Sequence, residues 1–296
     1  MLKNSVIKAP ALQIPKVIVI TAKLLEAISS KLVTLFAAKL FTTPIKYKIP
    51  KRELHMDNES VQSKILIASL KKEIVVYQYG DEDQRTAKAK SNKRILLVHG
   101  WSGKGTQLVK IADALIAQGF SIVSFDAPSH GKSKGNSTIM TEFITCILEI
   151  ERQFGPFEYA IGHSLGGMAI LNAIREKLNI KKAAIIGSGD IIQDIIDDFI
   201  KKLSLKPEIG IKLKEHFEKK YGTEMDYYSA SRAATEVLIP ILIIHDENDE
   251  EVNIKAAFHI HENLISSELF LTKGLGHRKI LGNVEIENKI INFINN

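Results

Sequence analysis

YAIGHSLGGMA, residues 159–169, decides the fold: its motif Gly162-x-Ser164-x-Gly166 lies directly after a short apolar run and directly before a helical pattern. A serine on a sharp strand-to-helix turn has strained backbone geometry, and flanking glycines let neighbouring chains approach without Cβ clashes. Such a turn lifts the Ser164 hydroxyl above a sheet and points the backbone N–H of Leu165 toward the same space. A structural Gly-Ser turn is the alternative, but the strand–turn–helix context favours a candidate nucleophile.

On both sides of this motif, short apolar runs alternate with longer helical patterns. The predicted strands are 94–100, 120–128, 159–164, 182–189, 239–246 and 267–274. The predicted helices lie near 104–118, 138–153, 165–178, 252–264 and 285–294. Apolar strands separated by helices indicate an α/β fold with a mostly parallel central sheet, covered by helices on both faces. A further strand-like region runs from residue 52 to Tyr79, and a polar loop follows at 81–93.

One connection is too long for this pattern. The chain runs for about 50 residues between Gly189 and Ile239, against the usual 2–6 or so. Its amphipathic patterns predict a helical cap insertion at 190–236, above the carboxyl edge of the sheet where ligands of such folds bind. A movable lid and a simple packing element both explain it. We therefore divide the chain into an N-terminal helical extension, 1–50, and an α/β domain with this cap, 51–296.

The extension holds most of the charge. Residues 1–50 contain eight Lys and one Glu, a net +7, which leaves −1 for residues 51–296 out of the total of +6. A nearly neutral body lacks the basic stripe of a nucleic-acid-binding surface, so we expect no nucleic acid partner. Charged residues interrupt the apolar stretch too often for a membrane-spanning helix, and it shows no signal-peptide pattern.

The extension is predicted to form a basic amphipathic helix. Lys23, Ser30 and Lys31 fall mostly on one side. The apolar side consists of Leu24, Leu25, Ile28, Leu32, Leu35 and Phe36. Such a helix packs on the body or on a second subunit, or it rests on a membrane surface. Assembly into a homo-oligomer and a peripheral membrane contact therefore both remain alternatives.

Two further motifs carry a family resemblance. LVHGW, 97–101, ends one predicted strand, and FDAPSHGKS, 125–133, ends the next. Together with the serine motif, they make roughly residues 55–296 resemble the α/β-hydrolase superfamily. The resemblance implies an α/β-hydrolase fold and a structural role for Asp126. It also implies an oxyanion hole made by the backbone N–H groups of Trp101 and Leu165.

A narrower resemblance concerns four segments: HGWSGKGTQ, FDAPSHGKSKG, IIHDENDEEV and GLGHRKIL. Together they resemble a group of bacterial α/β hydrolases with no assigned substrate. The resemblance therefore implies a mechanism without implying a specificity.

A serine nucleophile needs a base, and His277 fits best. It follows the last apolar strand in LTKGLGHRKIL, where glycines leave room for an imidazole to swing over the sheet edge. The resemblance implies a base in this loop and the chain order Ser164, Asp249, His277. His99 and His163 flank the two oxyanion loops. We expect them to shape these loops or to line the substrate pocket.

The acid that orients His277 is expected in IIHDENDEEV, 243–252. A carboxylate on Nδ1–H would fix the tautomer of the imidazole. Aligning this segment with the superfamily pattern H-G-x-x-D-x-x-V places the acid at Asp249. Asp246 is a rival because it stands where glycine is usual, and Asp190, after the preceding strand, is a second. A metal site at His245 is less favoured, because the run lacks calcium-loop spacing and a helical pair of histidines.

These residues predict a serine hydrolase of the carboxylesterase, lipase or thioesterase type. It would cleave a small acyl substrate through an acyl-enzyme, without a cofactor or metal. The same triad would serve an acyltransferase, a C–C hydrolase or a peptidase, and the scaffold would also serve a non-catalytic binding protein. A lipid-directed enzyme at a membrane surface is a further alternative.

The single cysteine bears on the compartment. Cys146 rules out an internal disulfide and lies in a helical pattern that predicts a small core residue. It fits a reduced compartment, so we expect a cytoplasmic location, at the membrane surface if the extension binds lipid.

Overall fold

The computed structural model describes residues 14–80 and 93–296. The polar loop predicted at 81–93 lies almost wholly outside the described residues.

In this described part of the chain, eight strands form one sheet. They are β1 Val61–Ile67, β2 Lys72–Tyr79, β3 Arg94–Val98, β4 Ser121–Asp126, β5 Tyr159–His163, β6 Lys182–Ile186, β7 Ile241–Asp246 and β8 Ser267–Thr272. Their spatial order is β1-β2-β4-β3-β5-β6-β7-β8. Strand β2 runs antiparallel to both of its neighbours, β1 and β4, and β3 to β8 are mutually parallel. The predicted mostly parallel sheet is confirmed.

Helices cover both faces of this sheet. They are α1 Lys16–Ile28, α2 Ser30–Phe41, α3 Leu54–Glu59, α4 Val109–Ala117, α5 Met140–Phe154, α6 Leu165–Arg175, α7 Ile192–Lys202, α8 Pro207–Tyr221, α9 Ala230–Ala234, α10 Lys255–Asn263, α11 Gly276–Lys279 and α12 Val284–Asn295. Short 3-10 turns lie at Lys51–Glu53, Met225–Tyr228 and Ile280–Gly282. One apolar core lies beneath α5 and α6, and a second lies beneath α4 and α12 on the opposite face. The central strands are therefore buried on both sides, which explains their apolar sequences.

Two predicted elements differ from the structure. The strand-like region that begins at residue 52 is helical up to Glu59, because Met56 packs into one core and Glu53 accepts a buried hydrogen bond from Thr106. The helix predicted from 104 begins at Val109. The residues before it form turns, and the Gly105 N–H donates to the Asp126 carboxylate at 2.7 Å.

Residues 14–50, the described part of the extension, form two long helices. At Ser29 the backbone is extended, with φ −162° and ψ 129°, so α1 ends and α2 begins in a new direction. The extension is therefore helical, as predicted, but it consists of two helices where the sequence pattern shows no break. Helix α2 packs on α8, and the ring of Phe41 lies 5.2 Å from that of Phe199 and 5.8 Å from that of Phe217.

The segment predicted as a cap, 190–236, contains α7, α8 and α9. Its apolar side chains, including Ile196 and Leu213, are buried in the core that α5 and α6 cover. The division into extension, body and cap stays a prediction. None of the described helices combines the length and the apolar character needed to cross a membrane.

Candidate active site

Ser164 occupies the sharp turn between β5 and α6, with φ 54° and ψ −120°. A non-glycine residue in such a region costs about 1–3 kcal/mol, so the surroundings must hold it there. Glycines make the turn sterically allowed. A Cβ atom at Gly162 would lie 2.5 Å from the Gly166 carbonyl oxygen, and one at Gly166 would lie 2.3 Å from the Val98 carbonyl oxygen. The Ser164 N–H donates to the Ile186 carbonyl at 2.9 Å, which ties the turn to β6.

His277 lies in the single turn of α11, and its Nδ1 is 2.7 Å from Asp249 Oδ2. Asp249 Oδ1 accepts the N–H groups of Glu251 and Val252 at 2.8 and 2.9 Å. Burial opposes ionisation of Asp249, but the hydrogen bond and charge interaction with His277, together with the two N–H groups, lower its pKa. An ionised carboxylate can only accept hydrogen bonds, so Nδ1 carries a proton, and the neutral tautomer selected by this contact has its lone pair on Nε2.

Adjacent strands bring these residues to one edge of the sheet. Ser164 follows β5, Gly187 follows β6 and Asp249 lies in the turn after β7. Gly187 has φ +55°, and a Cβ atom there would lie 3.2 Å from His277 Nδ1 and 3.4 Å from Asp249 Oδ2. The His163 Nε2–H, next to Ser164 in sequence, donates to the backbone carbonyl of His277 at 2.9 Å. The structure therefore gathers the three predicted catalytic residues at the carboxyl ends of neighbouring strands.

The rival Asp246 holds the loop that carries His277. Its fully buried carboxylate accepts four hydrogen bonds of 2.8–3.2 Å, from the N–H groups of Asn248, Gly274 and Leu275 and from the Thr272 hydroxyl. Burial opposes its ionisation, but these donors and the Gly276 N–H lower its pKa. Asp246 therefore acts on His277 only through the backbone of the loop.

The second rival, Asp190, is engaged elsewhere. Its Oδ1 accepts the Ser231 N–H at 2.6 Å, and its Oδ2 accepts from Nδ1 of His259 on α10 at 2.5 Å. Both carboxylate oxygens thus bind groups other than the His277 imidazole. Of the three candidate acids, Asp249 is the one in hydrogen-bond contact with that ring.

The loop after β3 is held by two buried histidines. His99 donates its Nδ1–H to the Gly100 carbonyl at 2.7 Å and accepts the Ala127 N–H on Nε2 at 3.0 Å. Burial lowers the pKa of His99 to about 4 and that of His130 well below its usual value, so both rings are neutral. His130 Nε2 accepts the N–H of Ser102 at 3.0 Å, where the backbone is left-handed with φ 57°.

The two predicted oxyanion donors lie on facing segments. Trp101 belongs to this loop, and Leu165 is the first residue of α6, where an N–H has no intrahelical partner. Within residues 14–80 and 93–296, neither N–H has a protein acceptor. A Cβ atom at Gly100 would lie 3.0 Å from the Ser164 Cβ, so the loop and the serine turn lie against each other.

His99 and His163, predicted to shape the loops or to line the substrate pocket, are 1% and 2% exposed. Both ring nitrogens of His99 bind backbone groups, and His163 uses Nε2 on the His277 carbonyl. Burial lowers the pKa of His163 well below its usual value, and the nearby His277 lowers it further. These contacts favour a shaping role, and contact with a substrate stays a prediction.

Sequence reasoning missed the contact between the extension and this loop. After α2, residues 42–48 reach the loop, and the Ile45 N–H donates to Ser102 Oγ at 2.9 Å. Lys104 Nζ lies 3.3 Å from the centre of the Tyr47 ring. No sequence signal marks Ile45, because its backbone makes the bond. Gly187 was also missed, although the GSG that ends the predicted strand 182–189 offered a signal.

No group of three or more His, Cys, Asp or Glu side chains suited to a metal ion occurs in the described part of the chain. His245, weighed above as a ligand, donates its Nε2–H to the Val252 carbonyl at 3.0 Å. Burial lowers its pKa, and the ring is neutral. Its contacts are therefore those of a structural histidine.

Comparison with known proteins supports the fold. Residues 95–203 match the model of a family described as the alpha/beta hydrolase family. Among curated proteins, none matches this sequence. An esterase from Pyrococcus furiosus is 14% identical, with a TM-score of 0.64 over 86% of this chain and 97% of that one. An esterase from Exiguobacterium antarcticum is 16% identical, with a TM-score of 0.60 over 79% of this chain and 99% of its own.

A bromoperoxidase from Bacillus anthracis is also similar, at 16% identity and a TM-score of 0.59 over 79% of this chain and 99% of its own. Proteins with different activities therefore share this architecture. At these identities the likeness establishes the fold alone, and the activity must be argued from the site.

Proposed function

We propose that this chain, a member of the α/β-hydrolase superfamily, is a serine hydrolase that cleaves an ester or a related acyl bond. The observation that carries the proposal is the 2.7 Å hydrogen bond from His277 to Asp249 beside the strained turn at Ser164. A carboxylate on Nδ1–H selects the neutral tautomer with a free lone pair on Nε2, which is the form that a serine nucleophile requires of its base.

The reaction has two halves. Ser164 Oγ attacks the acyl carbonyl while His277 Nε2 takes the hydroxyl proton, and Asp249 stabilises the imidazolium that forms. The tetrahedral intermediate then collapses: its bond to the leaving oxygen breaks, the imidazolium protonates that oxygen, and the alcohol departs from the acyl-enzyme. Water, deprotonated by His277, attacks the acyl carbon; the bond to Ser164 Oγ breaks, the imidazolium returns the proton to Oγ, and the acid is released.

Two backbone N–H groups would bind the oxyanion of each tetrahedral intermediate. Those of Trp101 and Leu165 have no protein acceptor within the described residues, so they are available to a substrate. Each donor of this kind contributes about 3–4 kcal/mol of transition-state stabilisation. The neutral, buried rings of His99 and His130 fix the loop, so little reorganisation is needed during the reaction.

Hydrolysis of p-nitrophenyl esters of increasing acyl length tests the proposal. We expect the wild type to hydrolyse at least one ester and Ser164→Ala to lose at least about a thousandfold in kcat. Ser188→Ala is the matched control: this buried serine follows the neighbouring strand, and among the described residues its hydroxyl bonds only the Gly189 carbonyl. The control should keep the wild-type rate. Equal rates for wild type and Ser164→Ala would remove Ser164 from the mechanism.

A further inference from the structure

Helix α1 exposes four large apolar side chains on one side. Val17, Ile20, Leu24 and Ile28 are 68%, 59%, 62% and 73% exposed. Their spacing of three and four residues aligns them along one stripe of the helix, here named the α1 apolar face. Contiguous exposed apolar surface of this kind marks an interaction site more often than scattered single side chains do.

The opposite side of α1 is fixed to the body. Ala22 is fully buried, and Leu25 packs against the core. The Glu26 carboxylate accepts the backbone N–H of Lys206, at the start of α8, at 2.7 Å. The orientation of α1 is therefore set by the fold, and the α1 apolar face points away from the protein.

The charges around this face are positive. The lysines of the two helices, Lys16, Lys23, Lys31 and Lys39, are all exposed. Glu26 is the only acidic residue among residues 1–50, and its side chain is only 11% exposed because it turns toward Lys206 and Lys23. An exposed apolar stripe accompanied by exposed lysines on the same helix and on α2 fits a partner that is apolar inside and negative at its surface.

We propose that the α1 apolar face docks the protein on an anionic lipid bilayer, with α1 lying in the plane of the interface. A second copy of the chain fits less well, because face-to-face packing would bring like-charged lysines together. Helix α1 is too short to cross the bilayer, because its 13 residues extend about 20 Å and the hydrocarbon layer is about 30 Å thick. The lysines would reach the headgroups while the four apolar side chains enter the acyl boundary.

Docking would also place the proposed catalytic machinery at the membrane. Residues 42–48 continue from α2 to the loop after β3, where the Ile45 N–H binds Ser102 Oγ. The bilayer-facing helix and the loop carrying Trp101 are thus connected through α2 and residues 42–48. The docking itself does not depend on catalysis, so it is tested by binding and not by turnover.

Co-sedimentation with vesicles tests the proposal on the full chain. The wild type should pellet with phosphatidylcholine vesicles containing 30% phosphatidylglycerol, much less with pure phosphatidylcholine, and less as salt rises. Ile20→Ser/Leu24→Ser should partition at least about tenfold more weakly, because two apolar side chains no longer enter the bilayer. Lys16→Gln/Lys31→Gln should weaken binding on the order of tenfold, with a smaller salt dependence.

The matched control is Leu238→Ser/Ile265→Ser, which removes two apolar side chains that are 73% and 71% exposed elsewhere on the body. It should bind vesicles like the wild type. All variants alter exposed side chains, and unchanged thermal unfolding midpoints would verify their folding. The proposal would be overturned if the wild type failed to pellet with anionic vesicles. It would also be overturned if the control lost as much vesicle binding as Ile20→Ser/Leu24→Ser. A wild-type dimer that Ile20→Ser/Leu24→Ser dissociates, without vesicle binding, would assign the face to a second copy instead.

Discussion

Replacing Asp249 by Asn exchanges one oxygen for an NH₂ group, and the structure determines where that group must point. Oδ1 accepts the N–H groups of Glu251 and Val252, so the amide oxygen has to take this position. The NH₂ group then occupies the position of Oδ2, 2.7 Å from His277 Nδ1. An amide donor there requires an unprotonated Nδ1, so the proton moves to Nε2 and the ring can no longer accept the proton of Ser164.

The expected loss is large in activity and small in stability. A wrong tautomer lowers kcat by about 10³–10⁴, which corresponds to about 4–5.5 kcal/mol of transition-state stabilisation. Every polar atom of the amide still has a partner, so the free energy of unfolding should change by no more than about 1 kcal/mol.

Asp246→Asn is the matched comparison, and it should behave in the opposite way. Oδ1 faces the Asn248 and Gly274 N–H groups, and Oδ2 faces the Leu275 N–H and the Thr272 hydroxyl. In either orientation the new NH₂ group meets a backbone N–H without an acceptor. The free energy of unfolding should fall by about 2–4 kcal/mol, and activity should fall less than in Asp249→Asn.

Urea unfolding at pH 7 and kcat measurements on the best p-nitrophenyl ester, for both variants, provide the assay. Activity of Asp249→Asn within tenfold of the wild type would refute the assignment of this acid. So would a stable, inactive Asp246→Asn beside an active Asp249→Asn, because that pattern would make Asp246 the acid.

Three other measurements address separate features. Ser164→Gly should be more stable than Ser164→Ala by about 1–2 kcal/mol in urea unfolding, since only glycine adopts φ 54° and ψ −120° without strain. A glycine variant less stable than the alanine variant would contradict the strained turn. Gly187→Ala should lower kcat by at least about tenfold with a smaller effect on KM. Gly187 has a left-handed backbone, and the added methyl would lie 3.2 Å from His277 Nδ1. An unchanged kcat would count against tight packing around His277. Lowering the pH from 7 to 5 should reduce the free energy of unfolding by about 2 kcal/mol through His99 alone. The folded pKa of His99, about 4, lies below its unfolded value of about 6.5. The unfolded state therefore binds more protons than the folded state between these pH values. The pH dependence of unfolding should be weaker in His99→Gln, and an identical pH profile would show that His99 is not buried in its neutral form.

Local sterics made the serine turn predictable. Gly162 and Gly166 are required wherever a strand, a turn and a helix approach this closely, so the residue types alone mark the position of Ser164. The choice between Asp246 and Asp249 was not local. Both residues lie in one turn. The hydrogen bonds that distinguish their roles come from residues 26–29 positions further along the chain, in β8 and the segment that follows it.

The extension was the least predictable region. Helical periodicity continues through Ser29, and the break there reflects how α1 and α2 pack on the body. The contact of Ile45 with Ser102 is made by a backbone N–H, which any residue type except proline would supply. Patterns of side chains report the buried face of an element, but they do not report contacts of this kind.

Covalent labelling by a fluorophosphonate probe tests the central assignment most directly, because the probe reacts with a serine whose hydroxyl is activated by a neighbouring base. Intact mass should show one adduct per chain, and peptide mapping should place it on Ser164. Ser164→Ala should remain unlabelled and Asp249→Asn should react far more slowly. A folded wild-type protein that takes up no probe, or an adduct that persists in Ser164→Ala, would contradict the proposed mechanism.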